Sequence, residues 1–149
     1  MRTIRVLVID DSLTIRAILE SILERHADLR LVGLASNVEQ AKDYLEDHQP
    51  DVITLDLALP GIDGMQFLAE LAKGPHAPVV VVSSSTQPCS EKAEAAMKAG
   101  AFACFDKARL VRDSARFVKM LHRAAAAGPK ARGLVSLDLD RFKLKQLEP

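Results

Sequence analysis

Five polar side chains stand directly behind, or at the end of, apolar runs of strand length. Asp10 and Asp11 follow Ile4–Ile9, Asp56 follows Val52–Leu55, Ser83 follows Val79–Val82, and Lys107 closes the run Ala101–Phe105 one residue beyond Asp106. If the runs are parallel strands, all five side chains meet at one edge of a sheet. Three carboxylates in one cleft repel; two such charges 4 Å apart cost about 4 kcal/mol at an effective dielectric near 20. A cluster of this kind persists by meeting a cation. An oxygen-only donor set, with no His or Cys, suits Mg²⁺, which keeps several waters and shares itself between carboxylates and phosphate. A carboxylate can also attack phosphorus and form an acyl phosphate. Transfer then needs charge neutralised on the phosphoryl oxygens, a task for a metal and for Lys107. Ser83 can donate a hydrogen bond to a further phosphoryl oxygen. Asp56, alone behind its strand, is the better nucleophile, and the Asp10–Asp11 pair the better metal anchor. Taken alone, Asp10–Asp11 would equally suit a helix N-terminus, where acids complement the dipole.

The elements that must position these groups are legible as periodicity. After Asp11, Ile15, Ile18, Leu19, Ile22 and Leu23 fall on one helical face. Leu31–Ala35 reads as a second strand, and Ser36 or Asn37 caps a helix with the stripe Val38, Ala41 and Leu45. Pro50 precedes the third strand. The turn-rich stretch Pro60–Gly64 leads into a helix with Phe67, Leu68 and Leu71. Ala93, Ala96 and Met97 mark a short helix closed at Gly100, and a last helix of about four turns carries Phe117, Val118 and Leu121. The strands lack apolar–polar alternation, which implies burial on both faces and hence a parallel sheet covered by helices. The expected fold is a doubly wound, five-stranded α/β domain, with ligands at the carboxyl ends of the strands.

Composition agrees with one such domain. The chain has 149 residues, 48% of them hydrophobic, with 20 Lys and Arg balanced by 20 Asp and Glu. A domain of that size buries roughly 68–70% of its unfolded surface. Zero net charge speaks against a nucleic-acid binder working through bulk charge. No apolar run approaches the ~18 residues of a membrane span, and the N-terminus lacks a signal-peptide layout. Cys89 and Cys104 are isolated, so neither a disulfide framework nor a zinc cluster is expected. The four His are scattered and form no expected site. The expectation is a cytoplasmic protein without membrane or nucleic-acid partners.

The motifs Val8-Ile9-Asp10-Asp11-Ser12, Asp51 to Asp56, Pro60-x-x-Asp63-Gly64, Val82-Ser83 and Phe105-Asp106-Lys107 occur in order. With these, the chain over about residues 2–126 resembles the receiver domains of two-component response regulators, closest in appearance to the receiver half of the chemotaxis methylesterase. The resemblance implies a flavodoxin-like sheet with strand order 2-1-3-4-5. It implies that Asp56 is the phosphoacceptor, and that Asp10, Asp11, Asp56 and the backbone carbonyl of Ala58 hold Mg²⁺. Ser83 and Lys107 would contact the phosphoryl group. A sensor histidine kinase would supply it, and a switch or output surface including Cys104, Phe105, Arg112 and Arg116 would meet an unknown downstream protein. A monomer or weak homodimer is expected, and the protein is not expected to be an enzyme. A pseudo-receiver that binds without phosphorylation and a phosphorelay intermediate are the alternatives.

The chain departs from the family pattern at three places. Ala108 stands where most receivers have Pro, often after a cis peptide; a cis bond to Ala costs about 2.5–4 kcal/mol, which favours a trans bond and a reshaped loop. Cys104 stands where the family commonly has an aromatic that swings inward. Ala58 lacks the polar side chain that many receivers use to influence dephosphorylation. It also lacks the general acid that Asp-nucleophile phosphatases carry two positions after the nucleophile. A flavodoxin-like FMN carrier is disfavoured because Asp10 and Asp11 would repel the phosphate dianion.

The expected domain runs over residues 1–127, with a linker and tail over 128–149. The methylesterase half is not expected, since about 20 residues follow Gly128. The stretch Leu134–Leu147 reads as an amphipathic docking tail or a disordered end. It also resembles the opening strand of diguanylate cyclase domains, whose Gly-Gly-acidic signature is missing, so no cyclase activity is expected.

Overall fold

A computed structural model describes residues 3–59, 64–84 and 91–129. Alternation decides the architecture, because successive strand residues point to opposite faces of a sheet. Strand β1 (Ile4–Ile9) sends Val6 and Val8 to one side and Leu7 and Ile9 to the other. Strands β2 (Leu29–Ala35), β3 (Val52–Leu55), β4 (Val79–Ser83) and β5 (Ala103–Asp106) complete one parallel sheet in the order β2-β1-β3-β4-β5. The doubly wound fold expected from the sequence is the fold observed.

Helices α1 (Leu13–Glu24) and α5 (Ser114–Ala127) cover the first face. Leu19, Ile22, Leu23, Phe117, Val118 and Leu121 pack there on Val6, Val8, Val80 and Val82. Helices α2 (Val38–Asp47), α3 (Gly64–Leu71) and α4 (Glu91–Lys98) cover the second face. Val38, Ala41, Phe67, Leu68 and Ala96 pack there on Leu7, Ile9, Ile53 and Val81. Two cores thus share one set of strands, which is why the central strands β1, β3 and β4 are apolar along nearly their whole length.

The helix starts follow local chemistry. The Ser12 hydroxyl accepts from the Ile15 amide at 3.2 Å and caps α1. Asn37, rather than Ser36, caps α2 by accepting from the Gln40 amide at 2.8 Å, and the Ser36 amide donates back to Gln40 Oε1 at 2.8 Å.

Strand boundaries differ from expectation in β2, β4 and β5; β4 runs on to include Ser83. Strand β2 begins at Leu29, because the Ile4 amide already bonds the Asp28 carbonyl and Ile4 pairs with Leu29. Strand β5 begins at Ala103, since the Ala101 amide is taken by the Ala96 carbonyl at the end of α4. It extends to Asp106, which pairs with Ser83. The segment 130–149, including the amphipathic stretch, lies outside the described residues.

Candidate functional site

Register brings the acids together. Ile9 pairs with Leu55, so Asp10 and Asp56 leave adjacent strands at the same level. Both are almost fully buried, at 1% and 3% exposure. Asp11, next along the turn into α1, is exposed, and its carboxylate completes a group with those of Asp10 and Asp56 in which one oxygen from each lies within 4.8 Å of the others. Ser83 is buried at the tip of β4, opposite Asp106. One residue further, Lys107 turns inward.

The Nζ of Lys107 stands 3.1 Å from Oδ2 of Asp56, to which it donates a hydrogen bond. The same Nζ lies 3.1 Å from Oδ2 of Asp10 as an ion pair, but off the line of a hydrogen bond, so that buried oxygen has no hydrogen-bond donor. The other oxygens are held by backbone. Asp10 Oδ1 accepts from the Ser12 amide at 2.8 Å, and Asp56 Oδ1 accepts from the Ala58 amide at 3.1 Å. Ala58 itself is exposed at the lip.

Titration follows from this packing. Burial pushes the Asp10 carboxyl above its ordinary range, and the nearby Asp56 charge adds to that, against the Ser12 amide and Lys107. Burial works to lower the Lys107 pKa, but the hydrogen bond to Asp56 and the close negative charges of Asp56 and Asp10 outweigh it and hold the ammonium above the usual lysine value.

One ammonium does not balance three carboxylates. The surplus negative charge, the donor-free oxygen of Asp10 and an all-oxygen donor set fit a hard divalent cation such as Mg²⁺.

The loop that aims Lys107 is built without proline. The Lys107–Ala108 bond is trans. The Asp106 carboxylate accepts from the Ala108 amide at 3.0 Å and caps a 3₁₀ turn over Lys107–Arg109. An Asp two residues before an amide is the sequence signal for such a turn, and the sequence reading did not use it. Gly64 was likewise only part of a motif. Its amide donates to the Leu57 carbonyl at 2.9 Å, and a Cβ there would sit 2.5 Å from the Asp56 carbonyl oxygen and Leu57 Cα. Only glycine lets α3 start this close to the loop carrying Asp56.

The residues expected on the output surface divide. Arg112 and Arg116 are exposed. Phe105 is not: its ring is buried against Phe117, with centroids 5.3 Å apart, and belongs to the first core. Cys104, its neighbour, necessarily faces the other way. Its Sγ lies 3.8 Å from the Ala93 carbonyl of α4, and burial pushes its thiol pKa up.

The model of the response regulator receiver domain matches residues 6–119. This chain belongs to the response regulator receiver family. The receiver is 43% identical to protein-glutamate methylesterase/protein-glutamine glutaminase 2 of Pseudomonas aeruginosa over 107 residues, 72% of this chain and 31% of that protein. The corresponding protein of Agrobacterium fabrum is 36% identical over 132 residues, 85% of this chain and 38% of that one. The receiver thus spans about a third of the length of these curated relatives. Among solved structures it is similar to the response regulator domain of Thermotoga maritima CheB, with TM-score 0.79, 28% identity, and coverage of 84% of this chain and 98% of that one. It is also similar to a chain in the complex of the CheA3 P1 domain with CheY6 from R. sphaeroides, with TM-score 0.72, 26% identity, and coverage of 85% and 99%. No helix among the described residues is long and apolar enough to cross a membrane.

Proposed function

We propose that this receiver is a phosphorylation-controlled switch in two-component signalling, taking a phosphoryl group onto Asp56 from the phosphohistidine of a sensor histidine kinase. The observation that carries this reading is the shared contact of Lys107 with Asp10 and Asp56, each at 3.1 Å, beside the third carboxylate of Asp11. Asp10, Asp11, Asp56 and the carbonyl of Ala58 would hold Mg²⁺. When bound, the ion supplies neutralisation of the phosphoryl oxygens.

The chain's own residues do the rest. An Asp56 carboxylate oxygen forms a bond to phosphorus as the phosphorus–nitrogen bond to the kinase histidine breaks. The imidazole leaves and takes up a proton from solvent. Lys107 moves its hydrogen bond from Asp56 Oδ2 to a phosphoryl oxygen, and the Ser83 hydroxyl donates to another. Those shifts at the ends of β4 and β5 alter α4, β5 and α5, through which a downstream protein reads the state. Cys104 under α4 and the exposed Arg112 and Arg116 belong to that region.

A docking surface for the kinase lies beside the acids. Leu13 is 76% exposed and Val111 71% exposed, and both line an apolar groove along α1 with Ala17 and Ile18. A partner seated there would bring its phosphohistidine to Asp56. The similar chain solved with the CheA3 P1 domain supports a partner of this kind.

Phosphotransfer profiling against the host's histidine kinases tests the proposal. At least one kinase should label the wild-type chain and leave Asp56→Asn unlabelled, and the label should be released by hydroxylamine, as an acyl phosphate is. Absence of transfer from every kinase would favour the phosphorylation-independent pseudo-receiver.

A further inference from the structure

Two helices on opposite faces of the sheet carry opposite charge, and their charges match in spacing. Helix α5 holds Arg116, Lys119 and Arg123, with no acid between Ser114 and Ala127. Helix α2 holds Glu39, Asp43, Glu46 and Asp47. Its one cation, Lys42, is taken by Glu70 of α3 at 3.2 Å. At about 3.6 residues per turn, the α5 cations stand opposite its buried stripe of Phe117, Val118, Leu121 and Ala124. The α2 acids likewise stand opposite Val38 and Ala41. All these charged residues are exposed. None of Glu39, Asp43, Glu46, Arg116, Lys119 and Arg123 has a hydrogen bond or ion pair among the described residues.

The two rows fit when the helices run antiparallel. From Arg116 to Lys119 to Arg123, α5 steps by three residues and then four; from Glu39 to Asp43 to Glu46, α2 steps by four and then three. Reversing one helix sets Glu46 against Arg116, Asp43 against Lys119 and Glu39 against Arg123. Each row is then about 10.5 Å long. The same alignment places the amino terminus of each helix beside the carboxyl terminus of the other, the favourable order for their dipoles. The rows cannot meet within one molecule, because α5 covers the face of Val6 and Val8 and α2 the face of Leu7 and Ile9. Every copy therefore presents both halves of one contact, each to a different neighbour.

We propose that α5 of one copy docks antiparallel on α2 of a second copy, joining receivers head to tail through these three charge pairs. Each contact leaves an α2 row and an α5 row free at its ends, so the assembly extends as a chain or ring of copies rather than closing as a two-fold pair. Exposed ion pairs are individually weak and screened by salt. The contact accordingly forms at high protein concentration and low ionic strength.

Amide NMR spectra of the full chain, recorded without a phosphoryl donor, test this. Between about 50 μM and about 1 mM protein, signals of residues 38–47 and 114–127 should shift and broaden together. Those shifts should shrink at least about threefold in about 0.5 M NaCl. Lys119→Glu/Arg123→Glu should abolish the shifts in α2, which it does not alter, along with those in α5. Mixing that variant with Glu39→Lys/Asp43→Lys, itself unable to self-associate, should restore them in both helices. Spectra independent of concentration would overturn the proposal, as would shifts confined to one of the two helices. So would α2 shifts that survive in the α5 variant, or a mixture that fails to associate.

Discussion

The ammonium of Lys107 and the carboxylate of Asp56 come from positions 51 residues apart and meet at 3.1 Å, where Lys107 holds Oδ2 of the proposed phosphoacceptor. The lysine is thus a stand-in for charge that the site is built to receive. The Lys107 side chain is 18% exposed, and removing it leaves two buried carboxylates less balanced. Breaking a buried pair costs about 3–5 kcal/mol, and partial exposure puts this one near about 2–3 kcal/mol. Lys107→Met is expected to lose that much stability by urea denaturation without divalent ions, and to recover more of it on adding Mg²⁺ than wild type gains. A variant as stable as wild type without metal would contradict the pairing.

Asp10 is held above its ordinary pKa, chiefly by burial. The folded state therefore resists its ionisation, and the resulting penalty develops as pH rises through the ordinary carboxylate pKa, levelling off above the raised one. Asp10→Asn keeps an oxygen for the Ser12 amide and removes the charge. In chelator its Tm is expected to exceed that of wild type by a few degrees at pH 7, with the gap closing as pH falls below about 4. The stabilisation of wild type by Mg²⁺ should be lost in the variant. A lower Tm at neutral pH would contradict the account.

Gly64 tests how tightly the loop behind Asp56 is built. Its missing Cβ is replaced by backbone at 2.5 Å, which cannot rotate aside as a side chain would. Gly64→Ala is expected to cost about 1–3 kcal/mol by urea denaturation, and to lower the yield of phosphorylated Asp56. Unchanged stability would mean that α3 does not approach the loop as described.

At the other edge of the sheet, Asp28 pairs with His122 Nε2 at 2.6 Å, tying α5 to the turn before β2. The hydrogen bond from His122 holds the Asp28 carboxyl below its ordinary pKa. A depressed pKa contributes stability above the ordinary carboxylate value, and that contribution fades as pH falls through the lowered one. The Tm of Asp28→Asn should lie below that of wild type near pH 5, with the difference vanishing toward about pH 2. A difference that widens in acid would contradict the pairing.

The sequence carried much of this because strand ends are conspicuous. Asp10, Asp56, Ser83 and Lys107 each follow an apolar run, and parallel topology brings such ends to one edge. What stayed hidden depended on direction or distance. Cys104 and Phe105 are neighbours on β5 and face opposite sides, so they reach the two cores separately, a difference of direction that residue type alone does not give. The Asp106 turn that replaces proline was readable only by asking where the Ala108 amide finds its acceptor. The Asp28–His122 pair spans 94 positions and leaves no local trace.

The central claim is that Asp56 is phosphorylated within a magnesium-holding group of acids. The intact mass of the protein after incubation with acetyl phosphate measures this directly, with Mg²⁺ and with chelator. Wild type should gain one phosphoryl group with Mg²⁺ only, peptide mapping should place it on Asp56, and Asp56→Asn should gain none. Equal labelling in chelator, or normal labelling of Asp56→Asn, would contradict the account.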